Sequence, residues 1–417
     1  MPSIIPIRNM LAAMLFASFP FQEGMAQSDH RPLELSTTLG FGEVLEAALR
    51  NAPEMQEAPV RQQQADAFTS AGRSWIAGRP SLQLNYYDDA ALDNRGQTEA
   101  QYGVQLPLWR PGERRALAAF GDSYQQQVRH WEDALKLDIA GKVRVVLAGI
   151  YEAQSMLQVE RDATATAQEL VRVTTVLFDA GAVAKLDVLQ AENLLLDQRR
   201  REYEAEAMLV DAEITYEFMT GLVVRPAGQH VEVQSAETEI NVTHPVLRYL
   251  QSDITVADGA IKQGEIAAKG NPQLSFGTRR ERGDRFLPYT DSVNLSLTVP
   301  FGGKSWVASH SSTARRAKVD AEVQYLNTQR TLQLALHDAE HELFLTGQAL
   351  PLAQQQAALG EQRRTMAQVA FEQGEISLAQ MLPAVQEDRL ATRNLTLLNI
   401  QQQRLITEYN QLIGVLP

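Results

Sequence analysis

The feature that most constrains this chain is a proline-free, periodic stretch from Glu113 to Gly181. No proline occurs between Gly112 and Arg225, although the chain contains 17. Apolar residues recur every three or four positions: Leu117, Phe120, Tyr124, Val128, Trp131, Leu135, Ile139, Val143, Val146 and Ile150. That spacing predicts one helix with a single buried stripe. A helix of about 66 residues is about 100 Å long at ~1.5 Å per residue. Typical globular helices run to about 8–20 residues, so the partners of this rod are other helices. It ends at Asp179-Ala180-Gly181, and a second helix follows over 185–220.

The chain then repeats itself. Pro53 matches Pro245 and Pro80 matches Pro272, both at an offset of 192. Pro107 and Pro300, Gly181 and Gly374, Tyr216 and Tyr409, and Gly221 and Gly414 all match at 193. A single one-residue insertion, inside the strand region, keeps all these landmarks in order. Repeats of this kind decide a fold before local propensities do. The expected organisation is a first repeat over 27–222, a connector over 223–242 and a second repeat over 243–417. Each repeat carries a helix, a β-hairpin (80–107 and 272–300), a very long helix (113–180 and 305–373) and a return helix (185–220 and 377–413). In the first repeat the leading helix is expected over Glu54 to Ile76, with Gly78-Arg79-Pro80 ending it.

The hairpins show strand alternation. Leu82, Leu84 and Tyr86 lie on one side, with Ser81, Gln83 and Asn85 on the other; Tyr102, Val104 and Leu106 share a face. Val293, Leu295, Leu297 and Val299 alternate with Asn294, Ser296 and Thr298, and pair with Gln273 to Thr278. The charged run Arg279 to Asp291 is expected as a loop, as is the polar run Asp88 to Thr98. Pro80, Pro107, Pro272 and Pro300 mark the ends of the strands. Four such strands leave two edges with unpaired backbone, which lipid does not tolerate. Closure therefore needs further copies: two chains would give an eight-stranded barrel and three a twelve-stranded one. A soluble hairpin cap on a coiled coil is the alternative, and the export signal and strand alternation weigh against it.

Composition narrows the function. The net charge of −13 opposes nucleic-acid binding, which needs a basic face. The absence of cysteine excludes disulfides, zinc–cysteine sites, a thiol nucleophile and an N-terminal lipidated cysteine. Residues 1–26 have the pattern of a secretory signal: Arg8, a short apolar core from Met10 to Phe21, and Gly24 and Ala26 at the −3 and −1 positions of a cleavage site. No later run is a transmembrane helix, so a membrane form must enter as strands.

With this order of elements and its two glycine turns, AGAVAKLDVLQAE and QGEISLAQMLPAVQE, the chain resembles the TolC family of outer-membrane channels over nearly all of its mature length. The resemblance implies a mainly α fold with a small β part: a duplicated long-helix α-barrel, plus a membrane β-barrel completed by a homotrimer with four strands per chain. It implies a passive exit duct in the outer membrane, extending into the periplasm, with outer-membrane lipid around it. The implied partners are a periplasmic adaptor (membrane fusion protein) and an inner-membrane efflux pump of the resistance-nodulation-division type. No enzyme activity, cofactor or nucleic acid is expected. Chain length, Pro53 and the Pro-Phe-Gly-Gly-Lys turn at 300–304 are similar to the heavy-metal (CzcC/CusC-like) branch; the first repeat departs there, with Pro107 to Arg114 instead. A type I protein secretion channel and a periplasmic coiled-coil scaffold are the competing functions.

The resemblance also implies a gate at the periplasmic tip beside Gly181 and Gly374. Asp187, six residues after Gly181, matches a gating aspartate of the family. The position of its usual tyrosine partner holds Phe371, which has no hydroxyl. The two acidic positions that narrow the family's entrance fall on Gln380 and Pro383. Two decoys remain. Gly302-Gly303-Lys304-Ser305 resembles the end of a phosphate loop but has Thr298 where the first glycine is needed. His337 and His341 fit a short zinc-peptidase pattern, yet they lie mid-rod, and an exposed helix surface accounts for them. Pro351, inside the second long helix, is expected to disturb it.

Overall fold

The computed structural model describes residues 32–416, so the export signal lies outside the described residues. The elements belong to the unit that begins at Leu33. In order they are β1 (Glu34–Ser36), α1 (Phe41–Asn51), a 3-10 turn (Pro53–Gln56), α2 (Glu57–Arg73), β2 (Ser81–Asp88), β3 (Thr98–Pro107), α3 (Glu113–Asp179) and α4 (Lys185–Thr220). There follow β4 (Val224–Pro226), α5 (Pro245–Ala267), β5 (Gln273–Arg282), β6 (Thr290–Thr298), α6 (Lys304–Glu372) and α7 (Leu378–Ile413).

Helix α3 has 67 residues and α6 has 69, so each is about 100 Å long. Helices α2, α4 and α5 pack on α3, and α5 and α7 pack on α6. Of the apolar stripe on α3, Phe120, Val128, Trp131, Leu135, Ile139, Val143 and Ile150 are buried. The lower part of that stripe, from Trp131 to Ile150, forms a core with Val44, Leu45 and Ala48 of α1 and with Tyr216 of α4. The periodicity is thus a seam between helices. Helix α6 runs unbroken through Pro351.

The repeated landmarks have matching physical roles. Tyr216 and Tyr409 are both buried; their hydroxyls donate to the carbonyls of Val224 (3.0 Å) and Glu237 (2.7 Å) in the chain that follows each return helix or faces it. Gly221 and Gly414 end those helices in the left-handed region, at φ 69° and 87°, where a side chain would be strained.

Two local expectations are corrected. The helix expected over Glu54 to Ile76 is a 3-10 turn followed by Glu57–Arg73; Trp109 holds the segment beyond it by donating from Nε1 to the Ser74 carbonyl at 3.0 Å. The charged run expected as a loop contributes Arg279–Arg282 to β5. Cross-strand ion pairing explains the extension: Arg279 Nε lies 2.7 Å from Glu99 Oε1 on β3, and such pairs stabilise strands.

The connector is more ordered than its composition indicates. Strand β4 pairs in parallel with β1, Glu34 opposite Val224 and Ser36 opposite Pro226. Arg225 is buried and donates to Glu213 on α4 at 2.6 Å and to Gln154 on α3 at 3.2 Å. Glu232 accepts from Arg144 of α3 at 2.7 Å and from Asn410 of α7 at 2.8 Å, and bonds His230 at 3.0 Å. Burial opposes ionisation of Glu232. The bonds from His230, Arg144 and Asn410, with the charge of Arg144, outweigh it and bring the pKa down to about 2. This belt fastens the connector to both repeats.

Candidate channel: the membrane sheet and the helical tip

The four long strands form one antiparallel sheet in the order β2-β3-β5-β6. The register sorts its side chains. Leu82 faces Val104, Val104 faces Phe276 and Phe276 faces Leu295; the next row is Leu84, Tyr102, Thr278 and Val293. The opposite face carries Gln83, Gly103, Gly277 and Asn294 in one row, and Asn85, Gln101, Arg279 and Ser292 in the next. One face is therefore apolar and the other polar. The apolar face is open: Leu82, Leu84, Tyr86, Tyr102, Phe276, Val293, Leu295 and Leu297 are all exposed. A contiguous apolar face of this size has no place in water. Gly103 and Gly277 face each other across the ladder, where a Cβ on Gly277 would lie 2.2 Å from the Tyr102 carbonyl oxygen. Glycine there lets the two repeats pair closely.

The proline positions tie the sheet to the rods. The Pro107 carbonyl accepts from Ala77 N–H at 2.9 Å and the Pro272 carbonyl from Leu108 N–H at 2.7 Å. Pro80 immediately precedes β2, and Pro300 follows β6. Arg110 clasps this junction. Its guanidinium donates to the carbonyls of Lys269 (2.7 Å) and Pro300 (2.8 Å), and also to that of Gly270. Asn271 completes it, donating to Glu113 Oε2 at 2.7 Å. The departure of the first repeat from the 300–304 turn thus supplies the residue that joins the two hairpins. Motif reading missed Arg110; the preceding Trp109 and following Pro111-Gly112 were the local signal of a special turn.

At the far end, both glycine turns have the same construction. Gly181 (φ 75°) donates to the Phe178 carbonyl and Ala182 to that of Leu177, each at 2.8 Å. Gly374 (φ 76°) donates to Phe371 at 3.0 Å, and Glu375 to Ala370 at 2.9 Å. These are paired helix-closing bonds that need a left-handed residue. Asp187 and Gln380 then hold equivalent places in the first turns of α4 and α7. Asp187 Oδ2 accepts from Ala184 N–H at 3.1 Å, and Gln380 Oε1 from Ser377 N–H at 2.9 Å, each capping its own helix. Pro383 is exposed within α7.

Phe371 sits apart from these caps. It is 1% exposed and belongs to a core with Leu170, Ala191, Leu378 and Met381, so side chains of α6 and α7 share one core with those of α3 and α4 at this end. Above it, Arg389 of α7 reaches both carboxylate oxygens of Glu160 on α3, at 2.9 and 2.7 Å. Arg364 of α6 bonds Asp388 of α7 at 2.8 Å. His337 and His341 are exposed on α6, and among the described residues no group of three acidic or histidine side chains is arranged to hold a metal ion. No described helix is long and apolar enough to cross a membrane.

A sheet apolar on one face, open at both edges and mounted on duplicated rods about 100 Å long defines a class: channel proteins whose strands, not helices, meet the lipid. Residues 44–222, which hold the first repeat's hairpin and its long helices, match the outer membrane efflux protein family. The fold is mainly α with a small β part and a duplicated long helix. The fold is similar to that of CusC (TM-score 0.71, 14% identity, covering 92% of this chain and 97% of that one). It is similar to VceC from Vibrio cholerae (0.71, 13%, 90% and 96%) and to CmeC from Campylobacter jejuni (0.67, 18%, 98% and 94%). No curated protein sequence matches the chain.

Proposed function

We propose that three copies of this chain close one barrel of twelve strands and act as the passive exit duct of a tripartite efflux system. The observation that carries the proposal is the open apolar face of the sheet together with its unpaired edge strands, β2 and β6. Edges of that kind require a partner in lipid, and β6 of one copy meets β2 of the next. The polar face then lines the lumen. Energy comes from an inner-membrane pump of the resistance-nodulation-division type, and a periplasmic adaptor engages the tip. The cargo is small solutes or metal ions.

The tip is the gate in this proposal. Gly181 and Gly374 set the two turns, and Asp187 and Gln380 cap the helices that leave them. Phe371 takes the place of a hydroxyl-bearing partner, so the closed state rests on apolar packing rather than on a bond to Asp187. Pro383 and Gln380 leave the entrance without an added ring of carboxylates. Removing the cap with Asp187→Ala loosens the start of α4, and the expected result in planar bilayers is a higher closed-state conductance. An unchanged conductance would sink the gating role of Asp187 while leaving the channel in place.

A further inference from the structure

We propose that the outward face of β5, near its loop end, binds the phosphate of an outer-leaflet lipid through Arg280 and Arg282, with Tyr289 holding both side chains in place. The proposal rests on reading the sheet as part of a membrane barrel. Alternation along β5 puts Leu274, Phe276, Thr278, Arg280 and Arg282 on the lipid-facing side. Strand β5 lies inside the sheet, between β3 and β6. Closing the barrel with other copies occupies β2 and β6 and leaves the outward face of β5 uncovered.

The two guanidinium groups share one aromatic ring. Their central carbons lie 4.8 Å (Arg280) and 4.9 Å (Arg282) from the Tyr289 centroid, within cation–π range. Tyr289 is itself tied to β3, where the Thr98 hydroxyl donates to its oxygen at 3.4 Å. On β3 the residues opposite are small: Ala100 beside Arg280 and Thr98 beside Arg282. The next large side chain in that direction is Tyr86 of β2, opposite Ala100.

Charge sorting along the strand points the same way. Arg279, on the lumen side, is matched by Glu99 and Glu281. Arg280 has only Asp291, at 3.8 Å, with side chains 60% and 73% exposed, a contact worth little in water. Arg282 donates from Nε to the Gly96 carbonyl at 3.1 Å and has no carboxylate within ion-pair range among the described residues. Arginine is the side chain whose planar fork suits phosphate oxygens.

The level fits a headgroup. Arg280 and Arg282 lie six and eight residues beyond Leu274, in the lowest apolar row of the sheet, or about 20 and 26 Å along the strand at ~3.3 Å per residue. A tilt of about 40° brings these to roughly 15 and 20 Å above Leu274 along the membrane normal, toward the upper edge of an apolar band about 25 Å tall. Phe286 and Leu287 are exposed in the adjoining loop. One cation with a single weak, exposed carboxylate partner and a second with none, beside exposed apolar side chains, match a lipid with an anionic head.

The test inserts the full chain as a trimer into phosphatidylcholine nanodiscs containing increasing diphosphoryl lipid A, and counts retained lipid A by native mass spectrometry. Wild type is expected to retain it at least tenfold more tightly than R280Q/R282Q, with R280K/R282K between them and all three inserting equally as trimers. Retention that is equal in wild type and R280Q/R282Q overturns the proposal. Displacement of lipid A by millimolar inorganic phosphate overturns the assignment to lipid. Failure of wild type to insert at all contradicts the barrel reading, and this inference with it.

Discussion

Asp187 and Gln380 fill one structural position in two repeats, and both spend their side chains on their own helix. Phe371 does the opposite work, burying its ring across the repeat boundary. Phe371→Ala should cost about 3–5 kcal/mol of local stability, as large-to-small core changes do, and hydrogen exchange at 365–382 should speed up relative to the β-sheet. Glu232 sets a pH response. Its pKa is depressed to about 2, below the ordinary carboxylate value, so its stabilisation is fully present above about pH 4.5 and is lost as pH falls toward 2. Melting temperatures from pH 6 to pH 3 should therefore fall more in wild type than in Glu232→Gln; parallel falls would remove Glu232 as the cause. The variant itself should be less stable at pH 6 by a few kcal/mol, roughly, because Arg144 is left buried without its partner. Asp187 and Phe371 entered as candidates through the family resemblance, which carries them at fixed offsets from the two glycine turns. Sequence reading could not find Arg144, whose partners Glu232 and Gln411 lie 88 and 267 positions away.

Among the elements, the long helices and the hairpins were legible for separate reasons. A stripe with a 3.6-residue period from Leu117 to Ile150, inside a proline-free run, points to one long helix, and proline and glycine mark its ends. Alternation exposed the strands wherever Leu or Val faced Ser or Asn, but failed at Arg279–Arg282, because all four residues are charged and both faces read as polar. Strands β1 and β4 were missed, being three residues each and paired in parallel across 190 positions. Helix α7 is held to α3 by the Arg389–Glu160 pair, whose side chains are only 15% and 11% exposed. Arg389→Gln should raise closed-state conductance, and adding Glu160→Gln should restore part of the loss, since it removes the carboxylate left unpaired. Simple additivity of the two substitutions would show that the pair does not hold the helices together.

At the scale of the whole molecule, one chain is incomplete. Its sheet has an apolar face with nothing to cover it and two edges with nothing to pair, while its rods are long enough to reach far from a membrane. The repeat doubles hairpin and rod together, and in the proposed trimer each chain therefore supplies a fixed share of both barrels. Composition contributed mainly exclusions, through the net charge of −13 and the lack of cysteine. Copy number was not legible, since alternation and edge strands are satisfied by any closed ring. The most direct measurement is membrane fractionation of cells expressing the full chain, followed by gel electrophoresis of heated and unheated samples. The expected result is an outer-membrane species of three chains that resists detergent and falls to a monomer on heating. A soluble periplasmic monomer, unchanged by heating, would contradict the account.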